Sequence, residues 1–212
     1  MGHWIDISQP LHNGMAHWPG DEAFSFNLSA TREETGSVNI GQLSTSIHIG
    51  THVDAPFHFI EDGKKTNELD INLYIGRAKL IDLSGEERIT TALLDQFPLQ
   101  NVKRLLIKTS SEPKPKHFPT RVPVISEDVP LYLKKCGVEL IGVDFPSVDE
   151  LDSKALPIHH KLHQHNIHIL ENIVVHDIVQ GDYELIALPL RIEGGDGSPV
   201  RAVIRKLEGG GA

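Results

Sequence analysis

The chain has 212 residues and a single cysteine, Cys136. One thiol excludes an intrachain disulfide and a cysteine-rich zinc knuckle, and it fits a reducing compartment. Cys136 sits beside Lys134 and Lys135 and reads as an ordinary thiol rather than a nucleophile. Long apolar runs are also missing. No stretch approaches the roughly 18 residues that a membrane-spanning helix needs. Basic residues are outnumbered, with 20 Lys and Arg against 29 Asp and Glu, giving a formal net charge of −9. That balance argues against nucleic acid or an anionic membrane as a partner. The opening MGHWID lacks the basic-then-apolar pattern of a signal peptide, and Asp6 breaks a myristoylation motif. A cytoplasmic protein is the expectation. No G-x-S triplet occurs, so the nucleophile elbow of a serine hydrolase is excluded. Apolar residues at 39% still suffice for a globular core, and residues 1–212 are expected to form one domain.

What is present is an alternation of strand and helix signals. Short runs rich in β-branched and aliphatic residues predict strands over 78–84, 102–110, 138–144, 167–171, 183–190 and 200–205. Helices are predicted over 90–97, 126–137 and 153–166, the second stopped by Gly137 and the third with Pro157 suited to a first turn or a break. That order favours a mixed α/β domain. The first half is turn-rich, with LHNGM and WPGDEAF as loop or hairpin signals. IEGGDGSPV (193–200) reads as a tight turn between the last two strands, and the terminal EGGGA as a flexible tail.

Thirteen histidines stand out, in two clusters. HIGTHVDAPFHF (48–59) places His48, His52, Asp54 and His58 on one parity and mostly apolar residues on the other. If the stretch were extended, an apolar face would meet the core and a ligand-rich face would point outward. One straight strand would spread these groups over roughly 33 Å, far beyond the reach of one ion with bonds near 2 Å. The chain must bend, most easily at Gly50 and Pro56, or else form one helical turn across 48–52. Then His48, His52 and Asp54 can converge on a metal, with His58 beyond it. Imidazole and carboxylate ligands without thiolate suit zinc, manganese or iron. A partly open coordination shell is where water becomes a nucleophile. The second cluster is HHKLHQHNIHILEN (159–172). A helix would bring His159 and His163 together, and Glu171, closing an apolar strand, would be costly there unless paired or metal-bound. Spacing alone leaves His159, His160 and His163 open as the partner. His163, His165 and His168 otherwise read as an exposed histidine-rich helix.

STSIHIGTHVDAPFHF resembles the H-x-G-T-H-x-D-x-P-x-H-F signature of the cyclase family, specifically the bacterial kynurenine formamidases. WPGD, GVDFPSVD, HILEN, YELIALPLRI and DGSPVRAVIR resemble it too, in the same order, so the likeness spans nearly the whole chain. It implies an α/β fold with a central mixed sheet, homodimers, and two zinc ions per subunit. It assigns His48, His52 and Asp54 as metal ligands, with Asp54 bridging the ions. The H-x11-E pattern adds His159 and Glu171, Glu171 again bridging. His58 matches the catalytic acid/base, a role suited to histidine's titration near neutrality. Trp18 matches a position that contacts an aromatic substrate, although a buried aromatic beside a Pro-Gly turn is an equally ordinary reading. The implied reaction is hydrolysis of N-formyl-L-kynurenine, a step of tryptophan degradation. The extra histidines at 160, 163, 165 and 168 depart from the family pattern. A relative acting on another amide or a cyclic imide such as isatin would carry the same ligands. The histidine surplus also suggests a more distant alternative, a non-catalytic metal-binding protein.

Overall fold

The computed structural model describes residues 2–114 and 116–207, so the expected tail over 208–212 lies outside the described residues. In chain order the strands are β1 (Trp4–Asp6), β2 (Ser25–Ala30), β3 (Ile40–Ser44), β4 (His52–Asp54), β5 (Ile75–Asp82) and β6 (Arg88–Ile89). They continue with β7 (Arg104–Lys108), β8 (Val124–Ile125), β9 (Leu140–Val143), β10 (His168–Glu171), β11 (Gly181–Ile186), β12 (Gly197–Pro199) and β13 (Val203–Lys206). The helices are α1 (Arg32–Thr35), α2 (Thr91–Leu94), α3 (Val129–Cys136) and α4 (Pro157–Gln164).

Among the described residues nine strands form one mixed sheet in the order β1-β13-β11-β5-β7-β9-β10-β4-β12. The central run β5-β7-β9-β10 is parallel, and both flanks are antiparallel. Every residue of β7 and β9 is buried, as expected of parallel strands covered on both faces. On one face Leu133 of α3 and Leu162 of α4 pack with Ile107, Ile141 and Ile169. On the other, Ile7, Tyr74, Leu106, Leu170 and Leu185 form a second cluster. The α/β class and mixed sheet match the sequence expectation, and all six expected strands appear. The expected helices are present but shorter, because their flanks are consumed by capping turns. α2, for example, is capped at Thr90, whose side chain accepts from the Leu93 N–H.

One reading holds and two need correction. The stretch 48–59 is, as expected, not one straight strand. Only His52–Asp54 is a strand, and all three residues are buried because β4 lies between β10 and β12. The bends fall at Gly50, with φ of 57°, and at Pro56, which opens a 3-10 turn over Pro56–His58. The segment 193–200 is not a tight turn. β11 and β13 pair directly, while the chain between them travels to the opposite sheet edge to add β12 beside β4. His168 is not on an exposed helix. It starts β10, where its Nδ1 lies 3.0 Å from the Tyr74 hydroxyl.

Candidate metal centre and substrate cavity

The site is assembled where β4 and β10 run side by side. Antiparallel register places His52 opposite Glu171. Gly50, in the left-handed region where a side chain is strained, turns the chain so that His48 faces Asp54. Their Nδ1 and Oδ1 atoms are 3.0 Å apart. His52 Nδ1 lies 2.9 Å from the Gly50 carbonyl. As donor to that carbonyl it leaves Nε2 free, 3.5 Å from Asp54 and 3.4 Å from Glu171. Glu171 accepts a 2.9 Å bond from the Val148 N–H.

His159 enters from the first turn of α4. Pro157 opens that helix, behind Leu156 in the left-handed conformation. Asp149 caps it, accepting from the Ile158 and His159 N–H groups at 2.9 and 3.0 Å. The same carboxylate lies 2.7 Å from His159 Nδ1. The ring is thereby oriented with Nε2 3.5 Å from Asp54 Oδ2. His160, by contrast, is exposed, and both His160 and His163 pack edge-on against Phe59, with ring centroids 5.6 and 5.9 Å apart. Neither joins the cluster.

Among the described residues three sets of side chains have ligand atoms close enough to hold one ion each: His48, His58 and Asp196 at the mouth, and deeper down His48, His52 and Asp54, and Asp54, His159 and Glu171. The two deeper sets share Asp54. Its Oδ2 is buried and makes no hydrogen bond among the described residues, the His159 Nε2 at 3.5 Å lying just beyond one, a costly state for a carboxylate oxygen unless a cation meets it closely. Burial would raise the Asp54 pKa, but His159 and His48 outweigh that and hold it well below the usual range. Burial likewise opposes charge on the two imidazoles. Asp196 and Asp54 nevertheless raise His48 to about 10, and Asp149 and Asp54 do the same for His159, also to about 10. Without metal, the cluster balances its carboxylates with protons.

His58 stands apart at the mouth. Its side chain is 33% exposed, and its ring lies against His48 with centroids 3.8 Å apart. Its Nδ1 is 3.7 Å from Asp196 Oδ2, which also lies 3.1 Å from His48 Nε2. These neighbours hold the Asp196 carboxyl below its ordinary range, His48 foremost. Asp149 and Asp196 are the two site residues that sequence reading missed. Asp149 lies well ahead of the helix start at Pro157, too far for a local capping signal. Asp196 carried only a turn signal.

The cluster opens into a cavity of about 420 Å³ lined by His48, His58, His159, Glu171 and Trp18. Trp18 is held by the WPGD turn, with Pro19 second, Gly20 third at φ of 99°, and an Asp21 N–H to Trp18 carbonyl bond of 3.1 Å. That is a type II pattern. The indole meets the edge of Phe118, with centroids 5.1 Å apart, forming an aromatic wall.

Comparison with known proteins agrees with this architecture. The family described as "Putative cyclase" matches residues 5–150. A kynurenine formamidase of Bacillus cytotoxicus is 56% identical over 204 residues, covering 96% of this chain and 98% of that protein. A predicted metal-dependent hydrolase from Bacillus stearothermophilus superimposes with a TM-score of 0.81 at 25% identity, over 96% of this chain and 98% of that one. Isatin hydrolase A from Ralstonia solanacearum shares the fold, with a TM-score of 0.81 at 21% identity over 97% and 92%. The chain belongs to the cyclase family.

Proposed function

We propose that this chain is a metal-dependent kynurenine formamidase, hydrolysing N-formyl-L-kynurenine to L-kynurenine and formate. One observation carries the reading: two ligand sets sharing a carboxylate, and an accessible histidine, open onto a single aromatic-walled cavity. The high identity to a kynurenine formamidase supports the choice of substrate.

The residues fit a metal. Asp54 Oδ2 is a buried acceptor without a hydrogen bond, and the surrounding donors are imidazole and carboxylate. His48 and His52 would serve one ion and His159 the other, with Asp54 bridging and Glu171 closing the set. Two zinc ions per subunit are the proposed complement. When bound, such ions acidify water and polarise a carbonyl. The chain's own residues do the rest. Asp149, the Gly50 carbonyl and Asp196 fix the three ring orientations, so that little reorganisation accompanies reaction. Trp18 and Phe118 receive the aryl ring of the substrate. His58, backed by Asp196, holds a proton at the cavity mouth and delivers it to the departing arylamine nitrogen.

The same reading makes the protein a cytoplasmic homodimer of one-domain subunits. Among the described residues no helix is long and apolar enough to cross a membrane. The β2–β3 hairpin leaves Phe26, Leu28, Ile40 and Leu43 exposed, an apolar surface suited to a second copy. A second reading, hydrolysis of a cyclic imide such as isatin, has the likeness to isatin hydrolase in its favour.

The deciding experiment compares kcat/KM for N-formyl-L-kynurenine, isatin and simple formanilides, with metal content measured on the same sample. Formylkynurenine should be the best substrate, chelation should abolish turnover and zinc restore it. His58→Ala should lose turnover while keeping its metal. Full activity in verified metal-free protein, or a preference for isatin, would overturn the proposal.

A further inference from the structure

Lys114 lines the same cavity but belongs to none of the ligand sets. Its ammonium donates to the Asp144 backbone carbonyl and, at 3.4 Å, to Asn172 Oδ1. Both acceptors are neutral. The nearby Asp144 carboxylate is already engaged, accepting from the Thr109 and Ser110 N–H groups at 2.9 and 3.1 Å and from the Thr109 hydroxyl at 2.6 Å. An ammonium has three hydrogens, so one remains for a further acceptor. Lys114 is half-buried; taking a cation even partly out of water is expensive, and neither metal binding nor proton transfer explains this one. Burial pushes its pKa down to about 8 against the pull of Asp144, which leaves it mostly charged at neutral pH.

Lys114 is also fixed relative to the reacting end of the site. Asn172 directly follows Glu171 and adopts a left-handed φ of 59°. Its carbonyl accepts a 2.7 Å bond from the Thr51 hydroxyl, just before β4. The cation is thus tied to both strands that carry the ligand sets, with the Trp18–Phe118 wall in the same cavity.

Resting on the formamidase reading, we propose that Lys114 is a specificity-determining residue whose ammonium binds the carboxylate at the amino-acid end of the substrate. Formylkynurenine carries its formamide on one side of an aryl ring and a carboxylate on the arm beside it. Metal cluster, aromatic wall and Lys114 match these three parts; Arg121 also lines the cavity but is exposed. Asp21 lines the cavity as well, but its carboxylate is exposed and accepts from the Ser46 hydroxyl at 3.0 Å.

The test uses the zinc-loaded protein and two substrates, N-formyl-L-kynurenine and 2′-formamidoacetophenone, which keeps the formanilide and ketone but has no carboxylate. Lys114→Met should raise KM for formylkynurenine about 10–100-fold, the scale of one charged hydrogen bond, and change kcat little. It should leave kcat/KM for the acetophenone within about twofold, and Lys114→Arg should recover part of the loss. Equal losses on both substrates would mean that Lys114 only holds its loop in place, and would overturn the inference. An active wild type with an unchanged Lys114→Met would overturn it as well, leaving the formamidase reading intact. A wild type inactive on formylkynurenine would overturn both.

Discussion

Asp149 shows how much one side chain outside the ligand sets decides. It caps α4 through two backbone N–H groups and meets His159 Nδ1 at 2.7 Å. Helix start and ring orientation are therefore set by one carboxylate. Asp149→Asn keeps the size and one acceptor oxygen but loses the charge that orients the ring. Metal affinity should fall about 10–100-fold while the circular dichroism spectrum is retained, measured by competition with a chromogenic chelator. An unchanged affinity would remove Asp149 from the site. Asp196 relates to His48 and His58 in the same way, but it comes from a segment 148 positions from His48 in sequence. The candidate ligands were legible in the sequence as two compact clusters, although spacing left His159, His160 and His163 open and only the family resemblance chose among them. The residues that aim them were not, because nothing local distinguishes Asp149 or Asp196 from a cap or a turn.

At the level of elements, β12 is the informative piece. Gly197 pairs with Asp54 across an antiparallel register, and a Cβ placed there would lie 2.8 Å from the Val53 carbonyl oxygen and 2.9 Å from His48 Cε1. Neither contact is tolerable, and the first is backbone, so it cannot swing aside. Gly197→Ala should displace either β12 or the His48 ring, at a cost of about 1–3 kcal/mol. The readouts are thermal melting and metal content per subunit. A variant with wild-type Tm and full metal content would show that the edge strand yields freely. The glycine was visible in GGDGSP, but only as turn chemistry. Its tight approach exists because a strand from near the C-terminus reaches β4.

For the whole molecule the main consequence is electrostatic. Metal-free protein gathers the carboxylates Asp54, Asp149, Asp196 and Glu171 around His48 and His159, which they hold protonated, each raised to about 10. A histidine must be neutral to ligate, so metal and protons compete. A raised pKa means the proton is held until the pH approaches about 10. Apparent metal affinity should therefore climb as pH rises through the neutral range, by up to ~100-fold per pH unit if both protons leave. Titration calorimetry in buffers of different ionisation enthalpy should register the release of about two protons per subunit near neutrality. Binding without proton release would mean that the metal-free imidazoles are already neutral.

The sequence by itself determined the strand and helix segments of the second half, the α/β class and the ligand-type clusters, because these follow from periodicity, capping residues and motif spacing over a few neighbours. Tertiary structure decided what those clusters became. Hydrogen bonding between β4 and β10 set His52 against Glu171. Burial of all three β4 residues removed the outward ligand face that a fully extended stretch would have shown. The excursion between β11 and β13 delivered Asp196 and Gly197 to a distant strand. Each of these depends on which strands become neighbours. That is settled by the packing of the two core layers against one sheet, and no local pattern encodes it.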